Sequence, residues 1–292
     1  MFDSDFPSLW RSSDAASVAC QKRFLFMVRA HLSLLAATGL LAAWVPACPL
    51  YESIVSWMLA VTMLLALAVN FAIKLLKVDD AWFRTRAFAE NAKGAAWRFM
   101  MRPTIGANDE CDLAKQVFLD ELDQVRRRFP QAVKEIAKHP MPGPEITEAM
   151  ECVRKRSLKE RAGIYHADRL QDQVSWYTRK AKFNFDAESK WFWIILGAEI
   201  VAVFLAFVRI SLVRDYNPTG GLAAIAACCV AWLQTKRFSD LANTYSVASI
   251  DLKMIQERLG QVTVEEDLSK LVDDAENAIS REHRLWVARR VD

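Results

Sequence analysis

WFWIILGAEIVAVFLAFV, residues 191–208, is apolar along its whole length except for Glu199 near its centre. A helix of this length crosses most of a hydrocarbon core about 30 Å thick, so the stretch predicts a transmembrane span. A carboxylate at that depth is costly and usually faces the interior of a helix bundle or a water-filled cavity. Glu199 is therefore a candidate functional residue.

Three further apolar blocks predict three further spans, at about 30–49, 53–73 and 218–235. The first block is joined to the second, and the third to the fourth, by a short connection, which indicates two hairpins. The chain is 53% hydrophobic with only nine glycines, a composition untypical of an ordinary soluble protein. The expected fold is an all-α integral membrane protein with four transmembrane helices and long cytoplasmic helices.

Basic residues flank the four predicted spans on the side of the long connecting segment. They precede the first span and follow the second, precede the third and follow the fourth: Lys22, Arg23 and Arg29; Lys74, Lys77 and Arg84; Arg179, Lys180 and Lys190; Lys236 and Arg237. Because lysine and arginine are enriched in cytoplasmic loops, we expect both termini and residues 75–185 in the cytoplasm.

The two hairpins form a parallel tandem repeat. Sliding the chain by 161 residues lays Leu35–Thr38 on Leu196–Glu199, so that Thr38 falls at the place of Glu199. Three prolines and a glycine in KHPMPGPEIT predict a linker at 140–145 between a first unit, 1–139, and a second unit, 146–292. Thr38 shows that the repeated hairpin does not itself require a carboxylate there.

Helical periodicity extends outside the spans. One helix is expected to continue straight out of the second span through Trp97. Another is expected from about Glu148 into the third span, with Gly163 as the point where an interruption would fall.

The run LKERAGIYHADRLQDQVSWYTRKAKFN, residues 158–184, resembles the helix that leads into the hairpin of the bacterial SLATT family. The residues that carry the resemblance are Tyr165, Arg169, Gln173, Trp176, Tyr177 and Lys180, joined by Arg86, Glu90 and Trp97 of WFRTRAFAENAKGAAW in the first half. The chain is thus similar to a tandem of two SLATT units.

The resemblance implies a membrane effector of bacterial antiviral defense, located in the inner membrane. Such an effector opens a pore or disrupts the membrane, causing abortive infection, when a nucleotide-type signal from a partner nucleotidyltransferase reports phage. The expected ligand is a nucleotide or short oligonucleotide. The expected state is a homo-oligomer in the lipid bilayer, with a tetramer as the first guess, because four spans leave little room for a path within one chain.

Six basic residues before the third span are candidate ligand contacts: Arg154, Arg156, Arg161, Arg169, Arg179 and Lys180. Clustered cations with interleaved aromatic side chains suit a phosphate backbone and stacked bases. The alternative is a solvated helix face paired with nearby carboxylates. Both interpretations stay open at this point.

Glu199 has three possible roles. It could be neutral and hydrogen-bonded to Asn70, Thr38 or His31; it could be ionised against a cation; or it could join copies of itself in a ring around a cation path. For the whole chain, the alternative to a pore-forming effector is a non-conducting scaffold whose cytoplasmic helices dock a protein partner. The common nucleotide-binding, hydrolase and zinc motifs do not occur, and we expect no catalysis, cofactor or metal.

Overall fold

The computed structural model describes residues 1–43, 49–102, 108–211 and 218–288, and all regular elements within these ranges are helical. A short 3₁₀ turn precedes eleven α-helices in the described ranges: α1 Ser8–Ala43, α2 Pro49–Leu76, α3 Val78–Met101, α4 Asn108–Arg128, α5 Pro130–Ile136, α6 Glu148–Arg154, α7 Leu158–Tyr165, α8 Gln171–Ser211, α9 Pro218–Lys236, α10 Phe238–Leu259 and α11 Glu265–Ala288. The prediction of an all-α chain is confirmed.

Within the described residues, three helical stretches are long and apolar enough to cross a membrane: Ser8–Ala43, Tyr51–Met101 and Leu158–Val208. They include residues 30–43 of the first predicted span and the whole of the second and third, so the chain has the character of a membrane protein. The fourth predicted span forms α9, which has 19 residues. The connection predicted between the first two spans, at 50–52, is helical and belongs to α2, whereas most of the connection predicted between the last two spans falls on residues 212–217, outside the described residues. The count of four spans stays a prediction.

The chain divides into two compact units. The membrane unit comprises Lys22–Val78 and Lys182–Ala242, and the core unit comprises Met1–Gln21, Asp79–Ala181 and Asn243–Asp292. Each unit contains residues from both halves of the sequence, so the halves of the repeat are interleaved.

Within the membrane unit, α1 packs against both α2 and α9. Thr38 Oγ1 donates a hydrogen bond to Thr62 Oγ1 of α2 at 3.0 Å, and His31 Nδ1 lies 3.1 Å from the carbonyl oxygen of Ala66. On the other side, Gly39 lies against Ala224, and Arg29 lies over the ring of Trp232. From Arg29 to Gly39 along α1, the contacts run backwards along α9 from Trp232 to Ala224, so this helix pair is antiparallel.

Glycine allows α1 and α9 to approach closely. A Cβ atom added to Gly39 would lie 2.3 Å from Cβ of Ala224, and one added to Gly221 would lie 3.3 Å from Cβ of Ala43. Small residues at such contacts let helix backbones approach within a membrane. Two small residues of α9, Gly221 and Ala224, thus make their close contacts within one chain.

Replacing Gly39 by leucine is expected to destabilise the membrane unit by about 1–3 kcal/mol, because the new side chain must push α9 away. Thermal unfolding in detergent measures the loss. Gly220→Leu is the matched control, since an added Cβ there meets no atom within 4 Å. An equal loss of stability in both variants would show that the close contact with Ala224 does not explain the need for glycine at position 39.

Helix α3 lies at the centre of the core unit. Its residues Phe88, Ala92, Ala95, Ala96 and Trp97 are fully buried. The indole of Trp97 packs against the rings of Phe6 and Tyr165, with centroid distances of 5.6 and 5.5 Å. The apolar stripe of α11 completes the core with Leu268, Val272, Ala275 and Ile279. This burial contributes most of the stability of the unit.

The proline-rich linker is hydrogen-bonded to the beginning of α1. Ser8 Oγ donates to Glu145 Oε1 at 2.5 Å, and Arg11 Nη2 donates to the carbonyl oxygen of Pro142 at 2.6 Å. Gly143 between them has φ of 127°, a conformation that side-chain-bearing residues rarely adopt. The segment is irregular, as its prolines predict, but it is packed within the core unit.

Two expectations about helix continuity are wrong. The helix after the second span does not continue straight, because Lys77 has a left-handed φ of 44°. Arg237 has the same conformation, with φ of 50°, at the end of α9, whereas the 161-residue register would place it at Phe238. The interruption expected at Gly163 lies instead before α7, where the Ser157 N–H and hydroxyl both donate to Glu160 and form an N-cap.

Candidate functional site

Glu199 lies exposed on α8, in the most apolar part of the membrane unit. It borders a groove of about 480 Å³ whose apolar wall includes Phe192, Ile195, Leu196 and Leu233. Glu188, three helical turns earlier, borders the same groove. One face of α8 therefore carries two carboxylates separated by apolar side chains.

The three polar residues expected to bond Glu199 have other surroundings. The Thr38 hydroxyl lies within hydrogen-bond distance of the Leu34 carbonyl oxygen and of the Thr62 hydroxyl, and His31 contacts Ala66. Asn70 is exposed on α2. Across the described part of the chain, the carboxylate of Glu199 has no hydrogen-bond partner, so a single copy leaves it uncompensated.

A buried ion pair joins α11 to the segment that precedes α8. Arg169 lies in a π-helical turn, His166–Leu170, and donates from Nε to Glu276 Oε1 at 2.9 Å and from Nη2 to Oε2 at 2.6 Å. Both side chains are 1% exposed. Tyr165 Oη donates to Glu276 Oε1 at 2.9 Å. Three charge-assisted hydrogen bonds thus converge on one carboxylate.

Burial and charge act together on this network. Burial raises the pKa of Tyr165 well above its ordinary value, and the negative charge of Glu276 adds to the effect. Burial alone would lower the pKa of Arg169, but the Glu276 carboxylate outweighs it and the pKa rises. Tyr165 therefore stays a neutral donor and Arg169 stays a cation at every physiological pH.

Two further predicted ligand cations also belong to the core. Arg161 is 2% exposed, donates to the Met101 carbonyl oxygen at 2.5 Å and pairs with Glu265. Arg154 is 7% exposed and donates to the carbonyl oxygen of Phe99. With Arg169, these residues hold helices together, because their guanidinium groups are occupied by protein oxygens. Arg161 and Arg169 are paired with carboxylates but are buried and do not form a solvated face, and Arg154 bonds a backbone carbonyl oxygen.

The other three predicted ligand cations, Arg156, Arg179 and Lys180, are exposed. Lys180 lies beside Trp176, with Nζ 5.8 Å from the ring centroid, and the Arg86 guanidinium lies at the same distance. Ligand binding by the exposed cations stays a prediction.

The motif residues in the core unit form two clusters. Tyr165, Arg169 and Trp97 surround Glu276 or pack beside it. Trp176 and Tyr177 pack with Tyr245 of α10, at centroid distances of 5.3 and 5.6 Å. Arg86 pairs with Glu90 at 3.5 Å, and Gln173 donates to Asp172 at 3.4 Å.

Sequence reasoning missed Glu276 and Lys93. Glu276 follows Ala275 on the apolar stripe of α11, and a carboxylate at the edge of such a stripe was an available signal. Lys93 Nζ lies 4.6 Å from the Trp10 ring centroid and 5.2 Å from that of Phe6. Burial lowers the pKa of Lys93, and the positive charge of Arg169 adds to the effect.

Family models match the chain in two consecutive segments. Residues 7–162 match SMODS and SLOG-associating 2TM effector domain 3, and residues 165–286 match domain 1 of the same series. The chain belongs to the SLATT family. The suspected tandem of two SLATT domains is thereby confirmed. Comparisons with curated proteins and with solved structures found no match.

The family description identifies this SLATT protein as a membrane effector of a defense system. Association with SMODS places it with a nucleotidyltransferase-type system. Within the described ranges, no group of three histidine, cysteine or carboxylate side chains could hold a metal ion.

Proposed function

We propose that this SLATT protein is the pore-forming effector of an anti-phage system, assembled from several copies in the bacterial inner membrane. Four spans in two hairpins, with both termini in the cytoplasm, agree with two consecutive 2TM family matches and with the basic residues that flank the apolar segments. The signal is a nucleotide or short oligonucleotide made by the partner nucleotidyltransferase. The exposed Arg156, Arg179 and Lys180 are its candidate contacts.

The observation that carries the proposal is the exposed carboxylate of Glu199. Within one chain, no residue in the most apolar part of Leu158–Val208 is buried. In the most apolar parts of Ser8–Ala43 and Tyr51–Met101, only 6% of the residues are buried. Lipid can cover the apolar side chains, but it cannot solvate a charged carboxylate. Copies arranged around an axis would place their Glu199 side chains in a shared polar path.

Ion flux from liposomes that contain the purified protein tests the proposal. We expect cation efflux when the signal nucleotide is present, and the same assay with empty liposomes provides the baseline. An assembled protein that binds the signal and yet leaves the cation gradient intact would contradict pore formation.

A docking function has one specific observation in its favour. On α10 of the core unit, Val247, Ile250 and Met254 are 60, 58 and 51% exposed and lie on one face. Such a stripe suits a partner helix. In this alternative the protein is a non-conducting membrane scaffold, and the flux assay separates the two functions.

A further inference from the structure

Two cations from different helices converge on one tryptophan in the membrane unit. The Arg29 guanidinium carbon lies 5.3 Å from the ring centroid of Trp232, and Lys236 Nζ lies 5.6 Å from it. Arg29 belongs to α1, whereas Trp232 and Lys236 lie one turn apart on α9. Arg29 is exposed, and the other two side chains are half-buried.

The position of this cluster is given by the apolar segments beside it. Arg29 directly precedes the predicted span 30–49, and Lys236 directly follows the predicted span 218–235. Because α1 and α9 are antiparallel, these two ends coincide, and the cluster lies at the end of the pair predicted to be cytoplasmic. Tryptophan, lysine and arginine at that level are typical of the membrane–water interface.

We infer that Arg29, Trp232 and Lys236 form a binding site for the phosphate headgroup of an anionic phospholipid. Both cations lie beside the same indole ring, so a phosphate bound at that ring is attracted by charges from two helices. The planar guanidinium of Arg29 suits bidentate contact with phosphate oxygens, and Lys236 supplies a second point charge. Basic pockets between spans on the cytoplasmic side bind such headgroups.

The surroundings of Arg29 agree with this assignment. In the described part of the chain, no carboxylate lies within ion-pair distance of Arg29, and its guanidinium lies against the Trp232 ring. Lys236 also lies 5.9 Å from the centroid of Phe238. The neighbouring Arg237 turns to Asp240, donating from Nε at 2.8 Å. The indole and the phenyl ring provide apolar surface for the glycerol and upper acyl carbons.

The site depends on the membrane topology but not on conduction, so its test is independent of the flux assay. The full-length protein in lipid nanodiscs of phosphatidylcholine with increasing phosphatidylglycerol is analysed by native mass spectrometry for retained anionic lipid. We expect at least one tightly retained phosphatidylglycerol per chain. The Arg29→Gln, Lys236→Gln double variant is expected to reduce its affinity by about tenfold or more, because two charge-assisted contacts are lost.

Matched variants keep the test specific. Lys74→Gln, Lys190→Gln removes two other cations near the same predicted membrane surface and should leave retention unchanged. Arg29→Lys preserves the charge and the packing but removes the planar fork, so it should fold and bind several-fold more weakly. Equal loss in the control, or full retention in the Arg29→Gln, Lys236→Gln variant, would overturn the site.

Competition with soluble phosphate distinguishes a lipid headgroup from a free phosphate as the ligand. A lipid site is anchored by acyl chains as well as by charge, so millimolar inorganic phosphate should not displace phosphatidylglycerol. Displacement by inorganic phosphate at that concentration would overturn the lipid assignment in favour of a soluble phosphate ligand.

Discussion

Replacing Glu276 by glutamine is expected to destabilise the core unit by about 3–5 kcal/mol, the effect of leaving a buried charge without its partner. The variant keeps the shape of the side chain, so packing changes little. It leaves the cation of Arg169 at 1% exposure without a neutralising carboxylate. Differential scanning fluorimetry of the purified protein should show a decrease in Tm of roughly 10 °C, given the size of the unit.

Two further variants separate charge from packing. Asp123→Asn removes a carboxylate that pairs with Arg126 and Arg127 on the surface of α4, and it should leave the Tm almost unchanged, because water screens exposed ion pairs. Arg169→Met combined with Glu276→Leu removes both charges and should recover much of the stability lost in Glu276→Gln. If Glu276→Gln unfolds at the temperature of the parent, the pair does not hold α11 to the π-helical turn.

The buried network shows why the sequence alone does not distinguish candidate ligand cations from cations of the core. Arg169 was one of six cations near a predicted span, and local pattern does not distinguish a solvated arginine from a buried one. Its partner Glu276 is 107 residues away along the chain, and a pairing at that separation depends on tertiary structure. By contrast, Arg156 and Arg179 are exposed, as the charged sequence around them predicts.

The apolar segments were predictable because hydrophobicity and length are local properties. The capping of α7 is also a local property, since Ser157 and Glu160 have the spacing of a capping box, and it places the interruption before α7 and not at Gly163. The left-handed residues were not predictable. Lys77 and Arg237 adopt a conformation that favours glycine or asparagine, and their local sequence carries no such signal.

Replacing Glu199 by glutamine is expected to leave assembly intact and to weaken cation preference strongly. Glutamine preserves the size and polarity of the side chain and one acceptor oxygen while removing its charge. If the carboxylates of several copies line one path, their negative field concentrates cations there, and the loss of every copy removes that field. The effect on selectivity should therefore far exceed that of a single surface charge.

Glu188→Gln is the matched control for this prediction. Glu188 borders the same groove on the same face of α8 but lies outside the apolar segment, where water screens its charge. Its loss should change cation preference only slightly. Glu199→Ala provides a second comparison, because failure of that variant alone to assemble would mark Glu199 as a structural contact between helices.

The reversal potential of the reconstituted protein in a tenfold KCl gradient tests the central claim most directly. The parent protein is expected to show a potential close to that of a cation-selective pore. Glu199→Gln should move this potential toward zero by tens of millivolts, while Glu188→Gln should remain near the parent. An assembled Glu199→Gln variant that conducts with the reversal potential of the parent would contradict a path lined by Glu199.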